Sequence, residues 1–211
     1  MPPARNLLPP SLQRAIRTTT RNPGVSPLKK LFALALALPL TVAALAATSN
    51  AALAHGPSRK KASVDQIVAA PPDAVWAIIG NFQDMSWHPA VTKTEGTGGN
   101  APGATRTLTL QGGGQIAEKL EKYDPDAQSL FYRIEQVDPK VLPVTNYSST
   151  ISVSPTPEGG SLVTWKGAFY RGYPNNDPPP ELNDEAAVNA VTGVYQAGLT
   201  QLKTLVEKPA N

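Results

Sequence analysis

DEAAVNAVTGVYQAGLTQLKTLVE, residues 184–207, reads as one long amphipathic helix. Ala187, Val188, Val191, Val194, Tyr195, Leu199, Leu202, Leu205 and Val206 recur at three- and four-residue spacing, so one face is buried. Asn183 stands where a helix N-cap belongs, its side chain able to accept from an unpaired N–H of the first turn. At ~1.5 Å per residue the helix is about 35 Å long, enough to cross a whole sheet. A helix of that length with one apolar face needs a broad apolar surface to lie on.

The residues before it supply that surface. Val91–Thr97, Ala104–Leu110, Gly114–Tyr123, Ser129–Val137, Val144–Ser154 and Ser161–Tyr170 read as strands, separated by turn chemistry such as GGNAPG, QGG and Asp124-Pro125-Asp126. Short connections between consecutive strands argue for an antiparallel meander. Upstream, Ser63–Ala69 alternates polar and apolar residues as a half-buried strand does. Pro71-Pro72-Asp73 then opens a short helix carrying Val75, Trp76, Ile78 and Ile79, stopped at Gly80 and Asn81. Phe82–Trp87 predicts a second short helical turn, closed by His88-Pro89. The segment RGYPNNDPPPE, residues 171–181, holds too many prolines for a strand or a helix. The expected fold class is α+β. A curved antiparallel sheet of about seven strands, with two short helices, wraps a long C-terminal helix, which is the helix-grip arrangement.

Charge is distributed unevenly. The chain carries 19 Lys and Arg against 16 acids, but six of those bases and none of the acids lie in the first 54 residues. Residues 55–211 carry 13 bases against 16 acids, a net charge of −3. Without a basic surface to neutralise phosphates, nucleic-acid binding has little support. The leader itself has a secretory order: a basic stretch to Lys30, an uncharged run LFALALALPLTVAALAA over 31–47, and Ala52-Leu53-Ala54 as an A-x-A cleavage site. The run is shorter than the roughly 20 residues a spanning helix needs, and Pro39 interrupts it. Residues 1–54 are therefore expected to be a signal peptide cleaved after Ala54, with no membrane anchor left. A flexible segment 55–62, a domain over 63–207 and a short tail 208–211 are expected to come after it. The chain has no cysteine and two histidines. That removes thiol chemistry and Cys-ligated metal, disfavours a His-based metal site, and leaves no cofactor expected. The glycine clusters fall in strand turns and not before a helix, which makes them weak phosphate-loop signals.

Side chains alternate along a strand, so parity tells which share a face. Leu130, Tyr132 and Ile134 do; so do Tyr147, Ile151 and Val153, and Val163, Trp165 and Phe169. Together they form a concave, aromatic-lined surface. Arg106 shares its face with Leu108 and Leu110, and Glu118 with Ile116 and Leu120. A loop at Gln111-Gly112-Gly113 sets Leu108 opposite Ile116 and Arg106 opposite Glu118. Inward charges must be paired or solvated. Two compatible readings result: an ion pair closing one end of a cavity, or a polar anchor for a ligand head group.

Several motifs carry a resemblance. VDQIVAAPPDAVWAIIGNFQDMSWHPAV, residues 64–91, is similar to the start of the START, birch-pollen-allergen and polyketide-cyclase (SRPBCC) superfamily. SWHPAV, GATRTLTL, LPVTNYSSTI, WKGAFYRGYPNNDPP and AVTGVYQAGLTQLK resemble the MxaD-like periplasmic proteins of methanol-oxidising bacteria. The likeness covers residues 63–207. It implies a periplasmic, non-enzymatic accessory protein that helps a quinoprotein alcohol dehydrogenase meet a c-type cytochrome. It also implies a hydrophobic cavity between sheet and helix for a small-molecule ligand. Trp87, Arg106, Glu118, Tyr132, Tyr147, Trp165 and Tyr195 are then the candidate ligand-binding residues. The alternatives are a polyketide cyclase- or dehydratase-like enzyme using His88 with Glu118 or Arg106, and a carrier of a hydrophobic metabolite. No Ser–His–Asp set or carboxylate pair accompanies His88, so packing beside Trp87 is its plainer role. In the proline-rich loop, Arg171 and Tyr173 are residue types favoured at interfaces. They read as a partner contact, and the loop reads equally as a rigid connector.

Overall fold

The computed structural model describes residues 56–208, so the leader, its cleavage site, His55 and the last three residues lie outside the described part. Seven strands and two α-helices succeed one another as β1 (Lys60–Val68), α1 (Pro72–Ile79), β2 (Val91–Thr97), β3 (Thr105–Leu110), β4 (Gln115–Asp124), β5 (Ser129–Val137), β6 (Val144–Pro155), β7 (Ser161–Arg171) and α2 (Asp184–Val206). All strand pairs are antiparallel, in the spatial order β1-β7-β6-β5-β4-β3-β2. The meander from β2 to β7 is thus completed by β1, which pairs with β7 at the far edge. The sheet curves around α2, as expected of a helix-grip fold.

Local chemistry explains the helix ends. Asn183 Oδ1 accepts from the Ala186 N–H at 2.8 Å, capping α2 as its position predicts. Asp184 and Glu185 fill the first turn and Lys203 the last, each matching the helix dipole. Pro72 and Asp73 start α1, and Gly80 ends it with its N–H on the Trp76 carbonyl. The α1 residues Val75 and Ile79 are buried, and Trp76 stacks on Tyr123 of β4, centroids 5.8 Å apart.

Two details differ from the sequence reading. Phe82–Trp87 does not form a helical turn of its own. Its backbone closes successive tight turns, Asp84 N–H to the Asn81 carbonyl and His88 N–H to the Met85 carbonyl, and a 3-10 turn forms instead at Pro180–Leu182. The buried anchors Phe82, Met85 and Trp87 recur at intervals that no single helix face would bring inward together. Strand β1 also begins at Lys60, inside the stretch expected to be flexible. Pairing with β7 extends that far, Ala62 is buried, and Lys60 Nζ lies 2.8 Å from Asp184 of α2. Ordering there results from three simultaneous contacts that no local pattern announces.

The core lies between the concave face and α2, with Ala187, Val191, Tyr195, Leu199 and Leu202 facing in as the helical spacing requires. The β3–β4 register is Arg106↔Glu118 and Leu108↔Ile116, as the short hairpin predicts. In β6 a bulge between Thr145 and Ser148, with Asn146 at φ 46°, resets the alternation. Val144 and Tyr147 can therefore both be buried although they lie three positions apart.

Candidate functional site

Five side chains from four elements meet under α2. Trp165 of β7 stacks on Tyr195 of α2, rings 4.6 Å apart and 16° from parallel. Its indole N–H lies 3.0 Å from Ser149 Oγ and 3.1 Å from the Tyr132 hydroxyl. Ser149 Oγ donates to the Lys166 carbonyl, 2.9 Å away, so it accepts from Trp165 and from the Tyr195 hydroxyl at 2.9 Å. With its proton so used, Tyr195 accepts from the Tyr147 hydroxyl at 2.6 Å. All five are buried. Burial pushes the Tyr132 phenol up to about 12 and raises Tyr147 and Tyr195 as well, so all three hydroxyls remain protonated donors. Gly167 gives the Tyr195 hydroxyl room, since a Cβ there would meet it.

Beside this network stands the inward ion pair. Arg106 Nε donates to Glu118 Oε2 at 2.6 Å, and both side chains are buried. A second guanidinium nitrogen donates to the Phe82 carbonyl at 2.8 Å, and the guanidinium sits 4.2 Å over the Phe82 ring and 5.4 Å from that of Tyr132. Desolvation pushes the Glu118 carboxyl up, and the facing guanidinium pulls it back down.

His88 is buried and packs beside Trp87, ring centroids 5.9 Å apart, as its plainer reading has it. Its Nδ1 accepts from the Ala90 N–H at 3.2 Å, which places the proton on Nε2, and Nε2–H donates to the Val194 carbonyl of α2 at 3.0 Å. Both ring nitrogens are therefore used, and burial lowers its pKa from 6.5 and keeps the ring neutral. The unfolded chain takes up a proton below about 6.5 where the folded chain does not. The histidine's contribution is thus complete above that pH and is lost as pH falls toward the lowered folded value. The urea midpoint should accordingly drop as pH falls below about 6.5, and His88→Gln should flatten the decline. An equal decline in both proteins would assign it to other groups.

A cavity of about 70 Å³ lies between these groups and the loops beside them. Glu118, Tyr132, Tyr147, Trp165 and His88 line it, with Met85, Val141 and Leu142 as apolar cover. Trp87, Arg106 and Tyr195 are not on its wall. Trp87 packs on Trp165 at 5.6 Å and on His88 at 5.9 Å, with its indole N–H buried away from any protein acceptor. Pockets for drug-sized molecules span about 300–1,000 Å³. This one suits a handful of waters or a ligand of a few non-hydrogen atoms, each water needing on the order of 10–15 Å³ by this measure. Among the described residues no three His, Asp or Glu side chains gather to hold a metal ion, and no helix is long and apolar enough to cross a membrane.

The match to a family model over residues 59–207 spans this whole arrangement, under the description polyketide cyclase/dehydrase and lipid transport. The chain belongs to that polyketide cyclase/dehydrase and lipid transport family. The family's breadth appears in its relatives. The protein XoxI of Bacillus cereus is 31% identical, with 71% of this chain and 95% of that chain covered at a TM-score of 0.57. MLP-like protein 423 of Arabidopsis thaliana is 33% identical over 96 residues, 43% of this chain and 60% of that protein's length. Norcoclaurine synthase of Thalictrum flavum, solved with dopamine and hydroxybenzaldehyde, is 20% identical, covers 74% of this chain and 90% of its own, and has a TM-score of 0.56. At that identity the plant enzyme shares the fold alone. The superfamily kinship read from the motifs therefore holds.

Arg171 departs from its expected place in the family domain. It reads from the sequence as a partner contact beside Tyr173; it is instead buried, its Nε donating to the Tyr173 carbonyl at 2.9 Å and a terminal nitrogen to the Asn175 carbonyl at 2.7 Å. Another terminal nitrogen stands 3.7 Å from Asp184 of α2. Strand β7 runs one residue past the expected end, and the alternation that turns Phe169 inward turns Arg171 inward too. Arg171 holds the loop from within, and Tyr173 alone is partly exposed. Ser149, the centre of the hydroxyl network, and Phe82, which carries Arg106, went unrecognised. Ser149 has the same parity as Tyr147 and Ile151, so its inward place was legible, but a serine there reads as solvated until its partners are known.

Proposed function

We propose that the chain is exported and works as a non-enzymatic periplasmic accessory protein. It binds a small ligand in its cavity and helps a quinoprotein alcohol dehydrogenase meet a c-type cytochrome. The observation that carries the non-enzymatic reading is the engagement of both ring nitrogens of His88, the histidine on the cavity wall. A general base needs a free lone pair within reach of the proton it removes. His88 spends both nitrogens on backbone groups, and Glu118 has one carboxylate oxygen, Oε2, held by Arg106. The wall also carries the protonated Tyr132 hydroxyl, which accepts from Trp165 and keeps its own proton to donate to a ligand. The alcohol-oxidation role is supported by the motifs that resemble the MxaD-like branch. Those same stretches contribute Trp87, His88, Arg106, Tyr147, Ser149, Trp165 and Tyr195 to the buried site.

Two measurements test this reading. Adding the protein to a dehydrogenase and its cytochrome should raise the electron-transfer rate, and His88→Gln that still folds should raise it equally. No effect, or substrate turnover by the protein alone that His88→Gln abolishes, would establish the cyclase-like alternative or another role. A lipid-sized ligand retained in native mass spectrometry would favour the carrier. Export predicts that protein from the periplasmic fraction begins at His55, within a residue or two. Recovery with residues 31–47 intact would make it an anchored protein.

A further inference from the structure

The opposite face of the sheet carries a second concavity that the cavity chemistry leaves unused. A depression of about 490 Å³ lies on the outer side of β1, β7, β6 and β5, away from α2. Strand register explains its shape. One row across the sheet runs Lys61, Ala168, Ser148, Arg133, and the next runs Ser63, Lys166, Thr150, Phe131. Directly paired residues point the same way, so the floor consists of short side chains, Ala168, Ser148 and Thr150. Its long side chains are Lys61, Lys166 and Phe131, with Arg133 beyond them on β5. Arg59 closes one side, its guanidinium 3.1 Å from Ser148 Oγ and 5.6 Å from the Tyr170 ring.

Charge marks the depression itself, with Asp65 of β1 and Glu121 of β4 just outside it. The described domain carries more acids than bases, yet no carboxylate lines the depression. Lys61 and Lys166 are exposed, and neither has an acidic partner within 4.0 Å among the described residues. Arg133 has only a distant one, Glu121 at 3.9 Å. Exposed like charges set close together repel, and the cluster is relieved when anions come between them.

Spacing selects the kind of anion. Lys61 and Arg133 stand three strand intervals apart, about 14 Å at ~4.8 Å each, with Lys166 between them in the next row. A single carboxylate or phosphate cannot reach both ends. An extended polypeptide rises about 3.3 Å per residue, so acidic side chains at i and i+4 are about 13 Å apart and i+2 falls midway. We propose that this outer face is a docking groove for an extended acidic segment of a partner protein, with Asp or Glu at alternate positions. Lys61, Lys166 and Arg133 take the carboxylates, and the small floor residues let the backbone approach. The site is independent of the cavity and of what the cavity binds.

The test is fluorescence anisotropy of the full-length protein with a labelled peptide of alternating Glu and Ser, and a Gln-for-Glu peptide as the neutral probe. The acidic peptide should bind, the neutral one should not, and affinity should fall as salt rises. Lys61→Glu with Lys166→Glu should weaken binding at least tenfold. Lys93→Glu with Lys140→Glu makes the same change in net charge elsewhere and should leave affinity within about twofold. Equal loss in both double variants would overturn the proposal in favour of a general charge effect. So would no binding by the unaltered protein, or capture of phosphatidylglycerol vesicles without the peptide. Unchanged circular dichroism in the variants ties any loss to the groove.

Discussion

Glu118→Ala should destabilise the protein by about 3–5 kcal/mol, because it leaves the Arg106 guanidinium buried without its counter-charge. Replacing both partners, Arg106→Met with Glu118→Leu, should cost less than that single change. The double variant removes both desolvated charges and fills their space with apolar atoms, losing chiefly the hydrogen bond to the Phe82 carbonyl at 2.8 Å. Urea denaturation of the three proteins measures the order. Near-zero effects for the single variant would mean that water reaches the pair. A double variant worse than the single would mean that the ion pair contributes net stability as well as its geometry. The comparison bears on function too, since Glu118 forms part of the cavity wall and Arg106 holds it from behind.

Gly198→Ala and Gly193→Ala should shift stability in opposite directions, although both replace a glycine in α2. At Gly193 a Cβ would meet nothing within 4 Å. There the change should stabilise by about 0.5–1 kcal/mol through the lower backbone entropy of the unfolded chain. At Gly198 a Cβ would lie 2.5 Å from His88 Cδ2 and 2.9 Å from Trp165 Cζ3. Neither ring can step aside freely: His88 is tied at both nitrogens, and Trp165 is stacked on Tyr195 and bonded to Ser149. Overpacking of this kind costs about 1–3 kcal/mol and outweighs the helix gain. Thermal melting of the two variants decides the matter, and a stabilised Gly198→Ala would show that the helix can shift to relieve the contact. Under the proposed function a destabilised variant should also bind ligand more weakly, because the same displacement moves His88 and Val194 on the cavity wall.

Regular, local features were legible before the structure. The spacing of Val191, Tyr195, Leu199 and Leu202 specifies α2 and its buried face, since an apolar stripe at helical period has one stable placement. Strand alternation likewise specifies that Tyr132, Tyr147 and Trp165 turn inward, and a short hairpin sets Arg106 against Glu118. What tertiary structure decided is how much space these side chains leave and which polar atoms meet. Parity assigns a face but not a distance. It therefore could not show that Trp165, Tyr195 and Ser149 close on one another until the cavity shrinks to about 70 Å³. His88 and Arg171 are the clearest cases. His88 reads as the close of a short turn beside Trp87 and Arg171 as a loop contact, and each finds a polar partner far along the chain or on another element. His88 reaches the Val194 carbonyl 106 residues away, and Arg171 lies beside Asp184 at the start of α2. A buried polar group must find such a partner to offset its lost hydration, and chain topology, not local sequence, brings that partner within reach.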